Sequence, residues 1–271
     1  MRVSEFPHGL YVVATPIGNL GDLSPRAADV LRTAAIVASE DTRTTARLYR
    51  GEKHPPMVSL TEYNVGDRIP ALLEAARSGV VALTSDAGSP AIADPGARLV
   101  EAAHAADVRV VAVPGPSALT AAVSVSGFEG SDVRFLGFLP RQKGERIKRL
   151  REGADTAAVF VFFESPNRLP ATLAEIAAEL GDPETVVCRE LTKLHEEVAR
   201  GRASALASKF AATKGECTVV VRSPGQDPSD ERALREYLAE MREAGARRTA
   251  AAAIAARRFG VTRAAAYDAW E

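Results

Sequence analysis

Cysteine is scarce in this chain: two residues in 271, Cys188 and Cys217, each inside an apolar, β-like run. That argues against a disulfide framework, and buried thiols are the expected state. Four histidines, with no close ligand spacing to the cysteines, do not make a zinc site, and no metal is expected. No apolar run approaches the length that spans a bilayer. The opening residues, Met1 to Pro7, lack the apolar core of a signal peptide. A cytoplasmic chain with no membrane partner is the expectation. Neither sign of charge dominates: 34 Lys and Arg against 35 Asp and Glu leave −1. The chain as a whole therefore carries no electrostatic footprint for nucleic acid, although local basic patches remain open.

What is present fits a globular chain. Hydrophobic residues make up 46% and charged residues 25%, enough apolar material for a sizeable core. The length suggests two domains. The first half alternates strand and helix signals. Ser24-Pro25 reads as a helix start, Ser as N-cap and Pro at the first helical position. Apolar runs at 10–13, 35–38, 57–60, 80–84 and 108–113 read as strands, with helical patterns between them. Such alternation predicts a largely parallel α/β sheet over 1–128. A second α/β domain follows over 129–223, with adjacent strand runs at 184–190 and 195–201 that suggest a hairpin and a mixed sheet. Within this second domain, after the run 133–140, Arg141 to Arg151 is a basic helix. Ser223 to Asp230 is a linker signature. Residues 231–271 then form an Ala-rich helical tail. Its Arg247–Arg258 helix, Gly260 turn, Thr262 N-cap and final helix give the outline of a helix-turn-helix. Arg247, Arg248, Arg257, Arg258 and Arg263 favour nucleic acid as its partner; Glu236, Glu240 and Glu243 favour a packing cap.

Three loops follow buried strands: Ala14 to Asp22, Ser85 to Gly96, and Val113 to Ala118. Open α/β sheets bind ligands at the carboxyl ends of their strands, so three such loops suggest one ligand cleft. The first is not a dinucleotide fingerprint, because Pro16 stands where the first glycine belongs, and it lacks the Lys and Ser/Thr of a phosphate loop. Its glycines suit close backbone approach to another kind of ligand. Glu40-Asp41-Thr42-Arg43 follows the strand at 35–38. Its carboxylates and arginine can orient a substrate or take a proton; equally, Asp41 can cap a helix and pair with Arg43. Glu62-Tyr63-Asn64 after 57–60 has the same status. Lys193, with Glu196 and Glu197 nearby, reads as part of a solvated hairpin.

These runs resemble the tetrapyrrole methylase superfamily and, within it, the small-subunit ribosomal RNA 2′-O-methyltransferase I family. The carrying segments are Ala14 to Asp22, Glu40 to Arg43, Ser85 to Gly96, Val113 to Ala118, Phe135 to Pro140 and Glu190 to Lys193, in the family's order and across roughly the whole chain. The resemblance implies a two-domain class III methyltransferase fold with a small helical C-terminal domain and S-adenosylmethionine (SAM) in the interdomain cleft. It implies methylation of a cytidine ribose in the decoding region of 16S rRNA within the small ribosomal subunit, by a homodimer. Donor contacts would come from Pro16, Ile17, Gly18, Asn19, Ser85, Asp86, Ala87, Gly88, Pro114, Gly115, Ser117 and Ala118, with Phe163 and Pro166 closing over the adenine. Catalytic candidates are Asp41 and Glu40, with Arg43 orienting them or holding a phosphate. Relatives commonly carry His in the segment that reads Glu62-Tyr63-Asn64 here, so Tyr63 is not taken as the base. The rival with the same fold is a methyltransferase acting on a precorrin or uroporphyrinogen. A non-catalytic SAM- or RNA-binding assembly factor is a different class, and the missing dinucleotide fingerprint disfavours an NAD-dependent oxidoreductase.

Overall fold

The computed structural model describes residues 6–224, 231–259 and 261–270. The chain divides into two compact units, 1–121 with 190–196, and 122–189 with 197–271.

The first unit is built on five parallel strands: β1 (Gly9–Val13), β2 (Ile36–Ser39), β3 (Met57–Ser59), β4 (Val80–Thr84) and β5 (Val110–Val113). Their order is β3-β2-β4-β1-β5. Helices α1 (Pro25–Thr33), α2 (Thr42–Ala46), α3 (Val65–Ser78), α4 (Gly96–Ala105) and α5 (Ala118–Ser126) connect or follow them. The period of two along each strand explains the two cores. Tyr11, Val13, Val37 and Ala82 face Ala27, Val30 and Leu31 of α1. Leu10, Ala38, Val81 and Leu83 face Leu72 and Ala76 of α3 and Leu99 and Ala103 of α4. Burial on both faces is why these strands read as continuous apolar runs. Ser24 caps α1 through Ala27 N–H, with Pro25 at the first helical position, as expected.

The second unit holds a mixed sheet of β6 (Val133–Phe138), β7 (Val159–Glu164), β8 (Glu184–Arg189), β9 (Glu197–Arg202) and β10 (Cys217–Arg222), ordered β6-β7-β10-β8-β9. β6 and β7 are parallel and the other pairs antiparallel. Helices α6 (Lys143–Thr156), α7 (Leu169–Leu180) and α8 (Ala203–Lys209) accompany it. Leu150, Phe160, Phe162, Leu173, Ile176 and Val219 form its core. Cys188 and Cys217 are both buried. The tail helices α9 (Glu231–Glu243), α10 (Arg248–Phe259) and α11 (Arg263–Asp268) have a core of their own, with Leu238, Ala251, Ala255, Phe259 and Ala266. Thr262 caps α11 as expected. Residues 225–230 of the expected linker, the Gly260 turn and the Arg257 side chain lie outside the described residues. No helix among the described residues is long and apolar enough to cross a membrane.

The unit boundaries differ from the expected break at 128. The first unit ends inside α5, at Ala121. The chain beyond belongs to the second unit because Arg200 and Arg222 stack on the Phe128 ring, and Arg200 also bonds to Ser126 O. The tail, expected as a third domain, falls within the second unit. The β8–β9 connection, Glu190–Glu196, belongs to the first unit.

Candidate functional site

Because the first sheet is wholly parallel, the loops leaving β1, β2, β4 and β5 emerge at one edge. Three of these loops are tied through their main chains. Thr15 N–H donates to Gly88 O at 2.8 Å, and Gly88 N–H returns to Thr15 O at 3.0 Å. Ala14 N–H donates to Val113 O at 3.2 Å. The buried Ser85 hydroxyl donates to Ala87 O and Gly88 O, at 3.2 and 3.3 Å. Ser89 Oγ reaches Pro116 O at 3.4 Å. Gly88 adopts φ +78°, a left-handed conformation that L side chains rarely take. A side chain at Gly115 would crowd the β1 loop, since a Cβ there would lie 3.0 Å from Ala14 Cβ and 3.1 Å from Ala14 O.

The structure thus brings the expected donor residues of the β1, β4 and β5 loops into one rim. Pro16, Ile17, Ser85 and Gly88 are buried in its base; Gly18, Asn19, Asp86, Ala87, Pro114 and Gly115 are exposed on it, with Ser117 and Ala118 partly so. Asn19 spends its side-chain oxygen on Gly21 N–H, 2.9 Å, closing its own turn. Asp94 holds the long β4 loop by accepting from Ala91 N–H and Gly96 N–H.

The β2 loop joins the rim through Asp86, whose Oδ1 accepts from Asp41 N–H at 2.9 Å. Here the expected catalytic residues separate. Asp41 is the N-cap of α2: it accepts from Arg43 N–H at 2.8 Å and takes the Arg43 guanidinium on both oxygens, at 3.0 and 2.7 Å. Those bonds hold its carboxyl down to about 2, so it is a poor proton acceptor at neutral pH. Arg43 is committed to Asp41 in the same ion pair rather than to Glu40. Glu40 is raised above the ordinary glutamate value, first by burial, then by the charges of Asp86, Asp94, Glu62 and Asp41. It is the carboxylate whose proton affinity suits a base. After β3, Asn64 closes its turn through Thr61 N–H and Ser59 O, while Tyr63 is 99% exposed.

One contact was not expected. The Glu190–Glu196 loop is not a solvated hairpin end. Lys193 lies against Gly18 so closely that a Cβ on Gly18 would sit 2.4 Å from Lys193 Cγ. Its ammonium bonds to Glu190 Oε1 at 2.8 Å. Glu190 and Thr192 both have left-handed backbones, φ 51° and 68°, strain that a β-branched residue tolerates only where surroundings over-determine it. The Glu190-x-x-Lys193 spacing was the only sequence signal.

In the second unit, Phe163 packs edge-on between Phe135 and Phe138, with centroids at 4.9 and 5.4 Å. Three cations of the basic run are paired: Arg146 with Glu175, Arg149 with Glu152 and Arg151 with Glu179. In the tail, Arg248 stacks over Tyr267 and Arg258 over Tyr237. Among the described residues no group of three or more His, Cys, Asp or Glu is arranged to hold a metal ion.

The family described as tetrapyrrole (corrin/porphyrin) methylases matches residues 9–207. Ribosomal RNA small subunit methyltransferase I of Thermotoga maritima is 47% identical over 78% of this chain and 97% of its own length. The protein of that name from Mycobacterium tuberculosis is 42% identical over 96% of this chain and 93% of its own. Uroporphyrin-III C-methyltransferase from Thermus thermophilus, solved with S-adenosylhomocysteine, shares the fold at 19% identity, TM-score 0.56, over 79% of this chain and 97% of that one. The chain belongs to the tetrapyrrole methylase family and, within it, to the ribosomal RNA small subunit methyltransferase I group.

Proposed function

We propose that this chain is a SAM-dependent methyltransferase that methylates the ribose 2′-hydroxyl of a cytidine in the decoding region of 16S rRNA. The observation that carries this reading is the 47% identity to a protein named ribosomal RNA small subunit methyltransferase I, across 97% of that protein. The rim supports it physically. The β1, β4 and β5 loops approach one another at Gly88, which takes a left-handed backbone, and at Gly115, where a side chain would crowd Ala14, a surface suited to a flat, polar ligand lying against main chain. Pro16 to Asn19, Ser85 to Gly88, and Pro114, Gly115, Ser117 and Ala118 would hold the donor. When bound, SAM supplies a methyl group on a positively charged sulfur.

The chain's own part is alignment and proton removal. The rim fixes the acceptor oxygen in line with the methyl carbon, which alone can supply much of the rate. Glu40, with its raised proton affinity, accepts the 2′-hydroxyl proton as the oxygen attacks. Asp41 and Arg43 hold the start of α2, and Asp86 ties the β2 and β4 loops together. No resident metal enters this scheme. Action in the cytoplasm and pairing into a homodimer belong to the same reading, and sedimentation of the full chain checks the latter.

The test is incubation of the purified protein with methyl-labelled SAM and either isolated small subunits or bare 16S rRNA from a strain lacking this gene, followed by nucleoside mass spectrometry. A labelled 2′-O-methylcytidine is expected. No RNA label with either acceptor, despite tight SAM binding, overturns the reading.

A further inference from the structure

The second unit carries a cavity of its own at the carboxyl ends of β6 and β7, about 540 Å³ in volume. That is the size range of small-molecule sites, which combine apolar walls with a few placed polar groups. Phe138 forms one wall and is 68% exposed. The backbone presents it deliberately. Gly137 takes φ +68° and the β6–β7 register shifts between Phe135 and Phe138, a bulge that re-aims the following side chain. The edge contact with Phe163 steadies the ring and leaves a face open.

The polar groups are equally placed. Glu164 is 3% exposed and lines the cavity, its carboxylate held by Ser165 N–H, Thr172 Oγ1 and the Arg168 guanidinium at 2.8, 2.9 and 3.1 Å. Arg168 also donates to Leu139 O and Pro140 O, yet its Nε is buried with no hydrogen-bond partner. A buried donor left unmade is costly, and an acceptor on a ligand would offset that cost. Arg141 lines the cavity mouth and is exposed. No carboxylate pairs with Arg141, Lys143 or Lys148 among the described residues, in contrast to their neighbours on α6.

We propose that this cavity receives one unstacked nucleotide of the RNA substrate, an amino-bearing base stacking on Phe138 with its phosphate on Arg141. An exposed aromatic beside an unpaired arginine is an arrangement that suits single-stranded RNA. The Glu164 carboxylate at the wall suits a base that donates an exocyclic amino hydrogen. SAM brings an adenine amino group and a carboxylate of its own, so the separate SAM measurement, not the charge of the wall, distinguishes the two occupants. The inference rests on the rRNA methyltransferase reading.

The experiment measures binding of a 16S decoding-region transcript and, separately, of SAM to the wild-type chain and to Phe138→Ala, Phe138→Trp and Arg141→Ala. Phe138 is exposed, so its variants should fold, and circular dichroism checks that they do. Phe138→Ala should bind the transcript roughly 5- to 150-fold more weakly, Phe138→Trp should recover it, and SAM affinity should not move. Arg141→Ala should reduce the salt slope of RNA binding by about one. Weakened SAM binding with RNA binding intact would assign the cavity to the donor and overturn the proposal. Unchanged affinity for both would overturn it while leaving the methyltransferase reading untouched. A wild-type chain that neither binds nor labels rRNA would remove both.

Discussion

In the first sheet the loops leaving β1, β4 and β5 are joined through main-chain atoms; in the second, the loop leaving β6 is held by side-chain charge. Thr15 and Gly88 exchange both of their amide hydrogen bonds. By contrast, Pro140 O and Arg141 O accept from Arg146, and Leu139 O and Pro140 O from Arg168. Those two guanidiniums are themselves fixed by Glu175 and Glu164. Main-chain stitching leaves the titratable side chains of the first rim free of structural duty, apart from Asp41, Asp86 and Asp94. Side-chain bracing in the second unit makes individual charges indispensable to folding. Substitutions at the first rim should therefore change rate without changing stability, and substitutions in the second brace should do the reverse.

The largest expected effect is that of Glu40→Gln. Removing a general base should lower kcat roughly 10²- to 10⁴-fold. Stability should hold, because among the described residues no hydrogen bond depends on the Glu40 carboxylate, and its charge is disfavoured where it sits. The sign follows from linkage: a carboxyl raised on folding contributes stability below its unfolded value and loses it as pH rises through the folded value, so at neutral pH the charge is a burden that Gln relieves. Single-turnover rates and thermal unfolding on one preparation check both halves. Full activity would return the base to Asp41, and a lowered melting temperature would break the contrast between the regions.

Arg146→Ala should do the opposite. Arg146 is 8% exposed, and both its guanidinium arms meet Glu175 at 2.7 Å. Removing it leaves the partly buried Glu175 without its cation and strips a donor from Pro140 O and Arg141 O. Breaking such a pair costs about 3–5 kcal/mol. Urea denaturation should show that loss, and Glu175→Leu added to Arg146→Met should recover much of it. The folded fraction should bind SAM as the parent does.

The same contrast explains what could be read from the chain beforehand. Main-chain features announce themselves locally. Ser24-Pro25 and Thr262 mark helix starts because a cap needs only its neighbours, and Gly88, Gly115 and their prolines mark loops because backbone geometry demands them. The alternation of apolar runs and helical patterns gave the parallel sheet, and the three loops converge as expected. Charge pairing does not announce itself. Arg146 and Arg151 looked like an open basic face because Glu175 and Glu179 sit on another helix. Lys193 meets Gly18 across a long stretch of chain, and nothing in either segment encodes the other. Asp41 had two readings, cap or catalyst, and it is the bonds to Arg43 that show the cap.

The smallest expected effect sharpens the comparison most finely. Glu62 is exposed and acts on Glu40 only through its charge, one of four carboxylates that raise it after burial itself. A base must be ionised to accept a proton, so activity falls as pH drops through the raised value of Glu40, earlier than for an ordinary glutamate. Glu62→Gln removes one like charge and lowers the proton affinity of Glu40. The acid limb of kcat should then move to lower pH, by roughly a few tenths of a unit for an exposed charge at this range. Added salt screens the same repulsion, so the difference between parent and variant should shrink as ionic strength rises toward 1 M. A limb that moves upward, or a shift indifferent to salt, would mean that Glu62 acts through the turn closed by Asn64 rather than through space.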